Sequence, residues 1–195
     1  MLYNASMSRT IVRAKESDYR DLVSIYSLTN EAMDPKSRLS EESQERLLST
    51  LGEAIENDRA FIVKDGSQAI AFALVSHTID DVFFPDSHSF SKANALLDAI
   101  DHTGENVMVL QALYVLPNKQ RHNVGGELLL SLVGRYKDSS WLTWNVEGNL
   151  PATSFLLRHS FVILDRDFSV EAETKPLLVL CRKYRPTGLC REAFW

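Results

Sequence analysis

Cysteine is nearly missing from this sequence: 195 residues contain only Cys181 and Cys190. Two thiols without metal-type spacing make neither a disulfide framework nor a zinc site, so the expectation is reduced thiols in a cytoplasmic compartment and no bound metal. Long apolar runs are missing too. Nothing approaches membrane-spanning length, and Met1 to Thr10 lacks the apolar centre of a signal peptide. Residues 1–9 read as a loose arm. Positive charge is in deficit, with 21 Lys and Arg against 26 Asp and Glu and a net charge of −5. That argues against nucleic acid or a membrane surface as partner and fits a small cationic substrate slightly better. There is no internal repeat and no low-complexity segment.

What is present suits a globular chain. Apolar residues make up 45% and charged ones 24%, and the length supports one well-buried domain rather than two. That domain is expected over 10–184, with an insertion at about 77–106 and a tail at 185–195.

The chain is organised around Val107 to Tyr136. Val107 to Val115 (VMVLQALYV) is almost wholly apolar and too short for an ordinary helix, as expected of a strand covered on both faces. Pro117 and Asn118 end it. Gln120-Arg121-His122-Asn123-Val124-Gly125-Gly126 follows, then a helical pattern of Leu128, Leu129, Leu132, Val133 and Tyr136. A basic, glycine-ended loop running into a helix start offers free N–H groups and the positive end of the helix dipole to an anion. A βα turn that needs glycine only for its backbone angles is the plainer alternative.

Before this stretch, Thr10 to Arg13 reads as a strand and Ser17 as the cap of a helix with Tyr19, Leu22, Val23 and Tyr26 on its apolar face. Pro35 breaks the chain. A second helix from about Ser40 turns Leu47, Leu48, Leu51 and Ile55 inward and Glu41, Glu42, Glu45 and Arg46 outward. Ala60–Val63 and Ala69–Ser76 flank Lys64-Asp65-Gly66-Ser67, a hairpin signal. An excursion from His77 to Asn106 carries Asp80, Asp81, Phe83, Phe84, Pro85, Asp86 and His88, then a helix with Phe90, Ala93, Leu96, Leu97 and Ile100 on one face.

After the centre come a strand at Trp141–Glu147, a helix at Ala152–His159 with Pro151 in its first turn, and strands at Phe161–Leu164 and Leu177–Lys183 paired as a hairpin. The fold class is α/β (α+β): a mixed, mostly antiparallel sheet of six to seven strands with helices on both faces and one βαβ unit.

Two strings carry a resemblance. LYVLPNKQRHNVGGELL and WNVEGNLPATSFLLRHSF are similar to the GNAT superfamily of acyl-CoA-dependent N-acyltransferases. Gln120, Asn123 and Gly125 fall on three fixed positions of the first family pattern. Glu147, Gly148, Asn149, Ala152, Phe155 and Phe161 match the second. The resemblance implies a GNAT-like fold and acetyl-CoA as co-substrate. Its pyrophosphate would sit on the amides of Arg121, His122, Asn123, Val124, Gly125 and Gly126, with Gln120 at the loop start. The pantetheine arm would pair with main-chain groups of Leu113, Tyr114 and Val115 like an added strand. Asn149 would hydrogen-bond the arm, with Phe155 beside it. Arg121, Lys119 or Arg158 would reach the adenosine phosphate.

Catalysis is less fully carried. The Leu113 main-chain N–H would polarise the thioester carbonyl. Leu156 stands where the family has a proton-donating tyrosine, which leaves Thr153, His159 or water for that role. The base candidates are Glu147, His77, Asp80 and Asp81, since the central strand carries only Gln111 as a polar residue. Cys181 reads as core. The resulting expectation is a cytoplasmic N-acetyltransferase acting on a small-molecule or peptide amine in a ternary complex, with a homodimer left open. The alternatives are a catalytically silent CoA-binding sensor or scaffold, and an α/β protein without a cofactor.

Overall fold

A computed structural model of the chain describes residues 9–79, 87–101, 106–170 and 176–183. Asp80, Asp81, Phe83, Phe84, Pro85, Asp86 and Cys190 lie outside the described residues. The element order is β1 (Arg9–Arg13), α1 (Tyr19–Ala32), α2 (Glu41–Glu56), β2 (Ala60–Asp65), β3 (Gln68–Ser76), α3 (Ser87–Asp101), β4 (Asn106–Val115), α4 (Val124–Arg135), β5 (Ser139–Val146), α5 (Leu150–Arg158), β6 (Val162–Phe168) and β7 (Leu177–Arg182). One seven-stranded sheet runs β1-β2-β3-β4-β5-β7-β6. β4 and β5 are its one parallel pair among the described strands, joined through α4 as a βαβ crossover. The expected mixed, mostly antiparallel sheet is what forms.

Burial explains the strand composition. Ala69 to Ser76 of β3 are all buried, so both faces are covered and an alternating pattern would expose nothing useful. Tyr114 meets Tyr26 of α1 edge-on at 5.1 Å, whereas Leu113 and Val115 reach Gly125 of α4. Adjacent strand residues point to opposite faces, so α1 and α4 cover opposite sides of β4. Trp141, Phe61, Phe72, Phe161 and Phe168 are fully buried, each worth roughly 1.5–3 kcal/mol of transfer free energy.

The helix starts differ from expectation in one place. α2 starts where expected, and Ser40 caps it by accepting from Ser43 N. Ser17 does not cap α1. It lies inside a short 3-10 turn, Glu16–Asp18, whose Asp18 accepts from Lys15 N (2.9 Å) and from Lys64 Nζ (2.6 Å). Tyr19, the first residue of α1, is exposed, and Ile25 joins Leu22 and Tyr26 in the core. The Gly66-Ser67 turn joins β2 and β3 with Gly66 at φ 64°, and a bulge interrupts the pair at Val63/Lys64. β6 extends to Phe168 and pairs antiparallel with β7, longer than the strand expected from Phe161. No helix among the described residues is long and apolar enough to cross a membrane.

Candidate functional site

The central feature is a fork in the sheet. β4 and β5 pair from Asn106↔Ser139 to Leu110↔Thr143 and no further. Beyond that, β4 stays on β3 as far as Val115 and β5 stays on β7 as far as Val146. Thr143 Oγ1 donates to Leu110 O at 2.8 Å, so a side chain closes the ladder where the next main-chain donor has moved away. Leu116 N donates to Ile70 O (3.0 Å). With the register of β3 and β4, that makes Phe72–Tyr114 and Leu74–Ala112 the pairs that exchange ladder bonds. The main-chain groups of Leu113 and Val115 then face away from β3, into the fork. Val115 O is already engaged: it accepts from Gln120 Nε2 (3.1 Å), with Thr29 Oγ1 also 3.1 Å away. The Leu113 N–H and C=O and the Val115 N–H remain without a strand partner among the described residues.

The fork opens onto the loop before α4. Arg121 (φ 63°) and Asn123 (φ 61°) are both left-handed and flank His122, a backbone course that turns successive N–H groups inward. Asparagine tolerates this conformation and arginine does so at a cost. Asn123 holds the helix N-cap position without a side-chain bond to the helix. Its amide lies across Gly126 instead: a Cβ built there would be 2.5 Å from Asn123 Oδ1 and 3.1 Å from His159 Nε2. At Gly125 the same Cβ would make ordinary contacts with Leu113, Val115 and Phe155. The stricter need for glycine is thus at Gly126.

The loop is braced from both sides. Arg9 donates to His122 O (3.0 Å) and to both carboxylate oxygens of Glu127 (3.0 and 3.1 Å). His122 Nδ1 donates to Gln120 O (2.8 Å). Lys119 is held 3.1 Å from Asp65, which engages a cation expected to face a phosphate. Arg121 and Arg158 are exposed, with Arg158 Nε donating to Ser154 O.

On the other arm of the fork, Asn149 caps α5 by accepting from Ala152 N (3.2 Å), so any donation to a ligand falls to its Nδ2. Asn145 of β5 donates to Thr153 Oγ1 (2.9 Å) and to Asn149 O (3.1 Å), tying helix to strand. Thr153 in turn donates its proton to Asn149 O (3.0 Å) and is buried. Leu156 is buried in the core. His159 Nδ1 donates to Phe155 O (2.8 Å), with the two rings 4.4 Å apart. Phe155 and His159 therefore join Gly125 and Gly126 in one cluster.

The catalytic candidates are spread more widely. Glu147 is exposed at the open end of β5, its main-chain N–H bonded to Pro176 O. His77 is exposed just past β3, edge-on to Tyr136 at the opposite end of α4 from the loop. Burial pushes the Tyr26 phenol up to about 12. Burial, with Tyr26 nearby, moves Tyr114 up as well. Cys181 is a buried thiol in β7. Among the described residues no group of three or more His, Cys, Asp and Glu is placed to hold a metal ion.

Reading the sequence missed Arg9, Asn145 and Thr29, whose roles arise from distant contacts. It also undervalued Gln111. A bulge sets Ala112 and Leu110 opposite the consecutive residues Leu74 and Val75, leaving Gln111 without a partner on β3. It has none on β5 either, because that ladder has ended. Its Nε2 is buried with no hydrogen-bond partner among the described residues, a state that costs about 1–3 kcal/mol. A cavity of about 900 Å³ elsewhere, between the start of α1 and the end of α2, lies at the β1 edge of the sheet, away from the fork.

No protein-family model and no curated protein sequence matches the chain. Solved structures do. The chain superposes on the PaiA N-acetyltransferase of Thermoplasma acidophilum, solved in complex with coenzyme A, with TM-score 0.59 and 18% identity over 91% of this chain and 100% of that one. A GNAT-family acetyltransferase of Bacillus cereus gives 0.61 and 14% over 91% and 99%. The ribosomal-protein-S18-alanine N-acetyltransferase of Escherichia coli gives 0.57 and 14% over 94% and 100%. The forked sheet and glycine-ended helix start described above thus belong to a chain with the fold of the GNAT N-acetyltransferases.

Proposed function

We propose that the protein is an acyl-CoA-dependent N-acyltransferase that moves an acetyl group from acetyl-CoA to a primary amine. One observation carries the reading: the Leu113 N–H and C=O and the Val115 N–H, which have no strand partner among the described residues, line a fork that opens onto the glycine-ended start of α4. That combination suits a ligand with an anionic head and an amide-bearing extended arm. The neighbour solved with coenzyme A has the same fold.

On this reading the amides from Arg121 to Gly126 hold the pyrophosphate, and Gly126 keeps the approach clear. The arm lies along Leu113 and Val115 as an added strand, with Asn149 Nδ2 and Phe155 on its far side. The acceptor amine attacks the thioester carbon directly. A C–N bond forms, the C–S bond breaks, and the nitrogen's proton ends on the departing sulfur, giving amide and free thiol. The Leu113 N–H faces the carbonyl oxygen as charge grows there. An alkylammonium of pKa about 10.4 must first release a proton, and the exposed Glu147 and His77 are the candidates to take it. With Leu156 in the core and the Thr153 proton committed to Asn149 O, the nitrogen's proton reaches the thiolate by way of His159 Nε2 or solvent.

The same two features favour a second reading, a CoA-binding module without chemistry. Thermal unfolding with acetyl-CoA, followed by thiol release across a panel of amines, separates them. Both readings require stabilisation by acetyl-CoA, and only the enzyme releases thiol in an amine-dependent way. No stabilisation by acetyl-CoA or CoA sinks both.

A further inference from the structure

Where an arm entering from the loop must stop is set by the fork itself. It would run back along β4 from Val115 toward lower numbers, and the closed end is plugged by the Thr143 hydroxyl on Leu110 O. Gln111 is the residue at that closed end. It is unpaired toward β3 because of the bulge and toward β5 because the ladder has ended, and its buried Nε2 lacks a hydrogen-bond partner among the described residues. Tyr26 and Trp141 also carry buried donors without a partner among the described residues, but Trp141 lies in the paired part of β5, opposite Met108, and Tyr26 lies on α1. Only Gln111 is on the lip of the fork.

The unpartnered group is a donor, and that limits its partner. It cannot serve the attacking amine, whose lone pair must stay available for the carbon. It suits an oxygen. We infer that the Gln111 carboxamide donates to the carbonyl oxygen of the bound thioester, a side-chain donor acting beside the Leu113 main-chain N–H. The inference rests on the functional reading above, because it presupposes that the arm occupies the fork. A bulge is a device that re-aims a side chain beside a site, which gives the extra residue in β4 a purpose. As the C–N bond forms and the C–S bond breaks, the oxygen gains negative charge, and a fixed amide donor favours that change more than it favours the resting thioester.

The test needs no acceptor amine. Acetyl-CoA labelled with carbon-13 at the carbonyl is bound to the wild-type protein and to Gln111→Met, which keeps the length but has no donor, and to Gln111→Glu, which keeps the shape but only accepts when ionised. The infrared band of the bound carbonyl should lie lower in the wild type and return toward its free position in both variants. Acetyl-CoA affinity should fall about two- to tenfold in Gln111→Met, the range for one neutral hydrogen bond. CoA itself, which lacks that carbonyl, should bind wild type and Gln111→Met alike, which also establishes that the variant folds. An unchanged carbonyl band, or equal losses for CoA and acetyl-CoA, overturns the inference and leaves CoA binding intact. Failure of the wild type to bind either ligand overturns the functional reading and the inference together.

Discussion

Asn123 combines two functions that usually need two residues. It supplies the left-handed turn at φ 61°, and its amide lies across Gly126 at the helix start. A β-branched side chain tolerates that backbone poorly, so Asn123→Val should lower stability by about 1–2 kcal/mol, whereas Asn123→Gly should leave it nearly unchanged. Urea unfolding of the two variants checks this, and equal losses would mean the left-handed turn is not what matters. The turn was legible from the sequence, because the loop ends in Gly125 and Gly126 directly ahead of a helical pattern. Arg9 was not. Its bond to His122 O spans 113 positions, and nothing local marks the first residue of a strand as a brace for a loop. The commitment of Lys119 to Asp65 was hidden for the same reason.

At the scale of elements, α5 is fastened to β5 by polar bonds as well as by packing. Asn145 reaches both Thr153 Oγ1 and Asn149 O, and Thr153 is buried. Thr153→Val keeps the shape but removes the acceptor for Asn145 and the donor to Asn149 O, so it should cost about 1–3 kcal/mol. On the proposed function it should also weaken CoA binding, because Asn149 loses its fixed position. Calorimetric titration alongside thermal unfolding would tell: a variant equally stable and equally tight would show that the bonds contribute nothing. The helix itself was readable, from Pro151 in its first turn and Asn149 ahead of it. Its fastening was not, since a lone Asn in an aromatic strand has no local signature. The start of α1 misled for a related reason. Ser17 has the right chemistry for a cap, but Asp18 gains more by bonding Lys64, a residue 46 positions away.

For the molecule as a whole, that Asp18–Lys64 pair joins the helical layer of α1 to the sheet at β2. Burial alone would raise the Asp18 carboxyl, but the bonds from Lys64 Nζ and Lys15 N outweigh it and hold the group below its ordinary value. A carboxylate depressed in this way stabilises the fold fully above its unfolded-state pKa of about 3.9, and that contribution is lost as pH falls through the lower folded-state value. Stability of the wild type should therefore drop more steeply on acidification below about pH 4 than that of Asp18→Asn, which should be less stable at neutral pH by about 1–3 kcal/mol. Parallel denaturation curves across that pH range would refute this. The mixed, mostly antiparallel sheet and its βαβ unit were expected from the strand and helix patterns, whereas the strand order, with β7 between β5 and β6, was not. The fork was expected only through resemblance, because where two parallel strands part is decided by register and twist rather than by any residue type.

The parting of β4 and β5 leaves two half-sheets, β1 to β4 and β5 to β7, stitched together along only five residue pairs. A chain-like ligand laid into the gap would act as a splint across that short seam. Its binding should then be felt far from any atom it touches, as slower amide exchange in both halves at once.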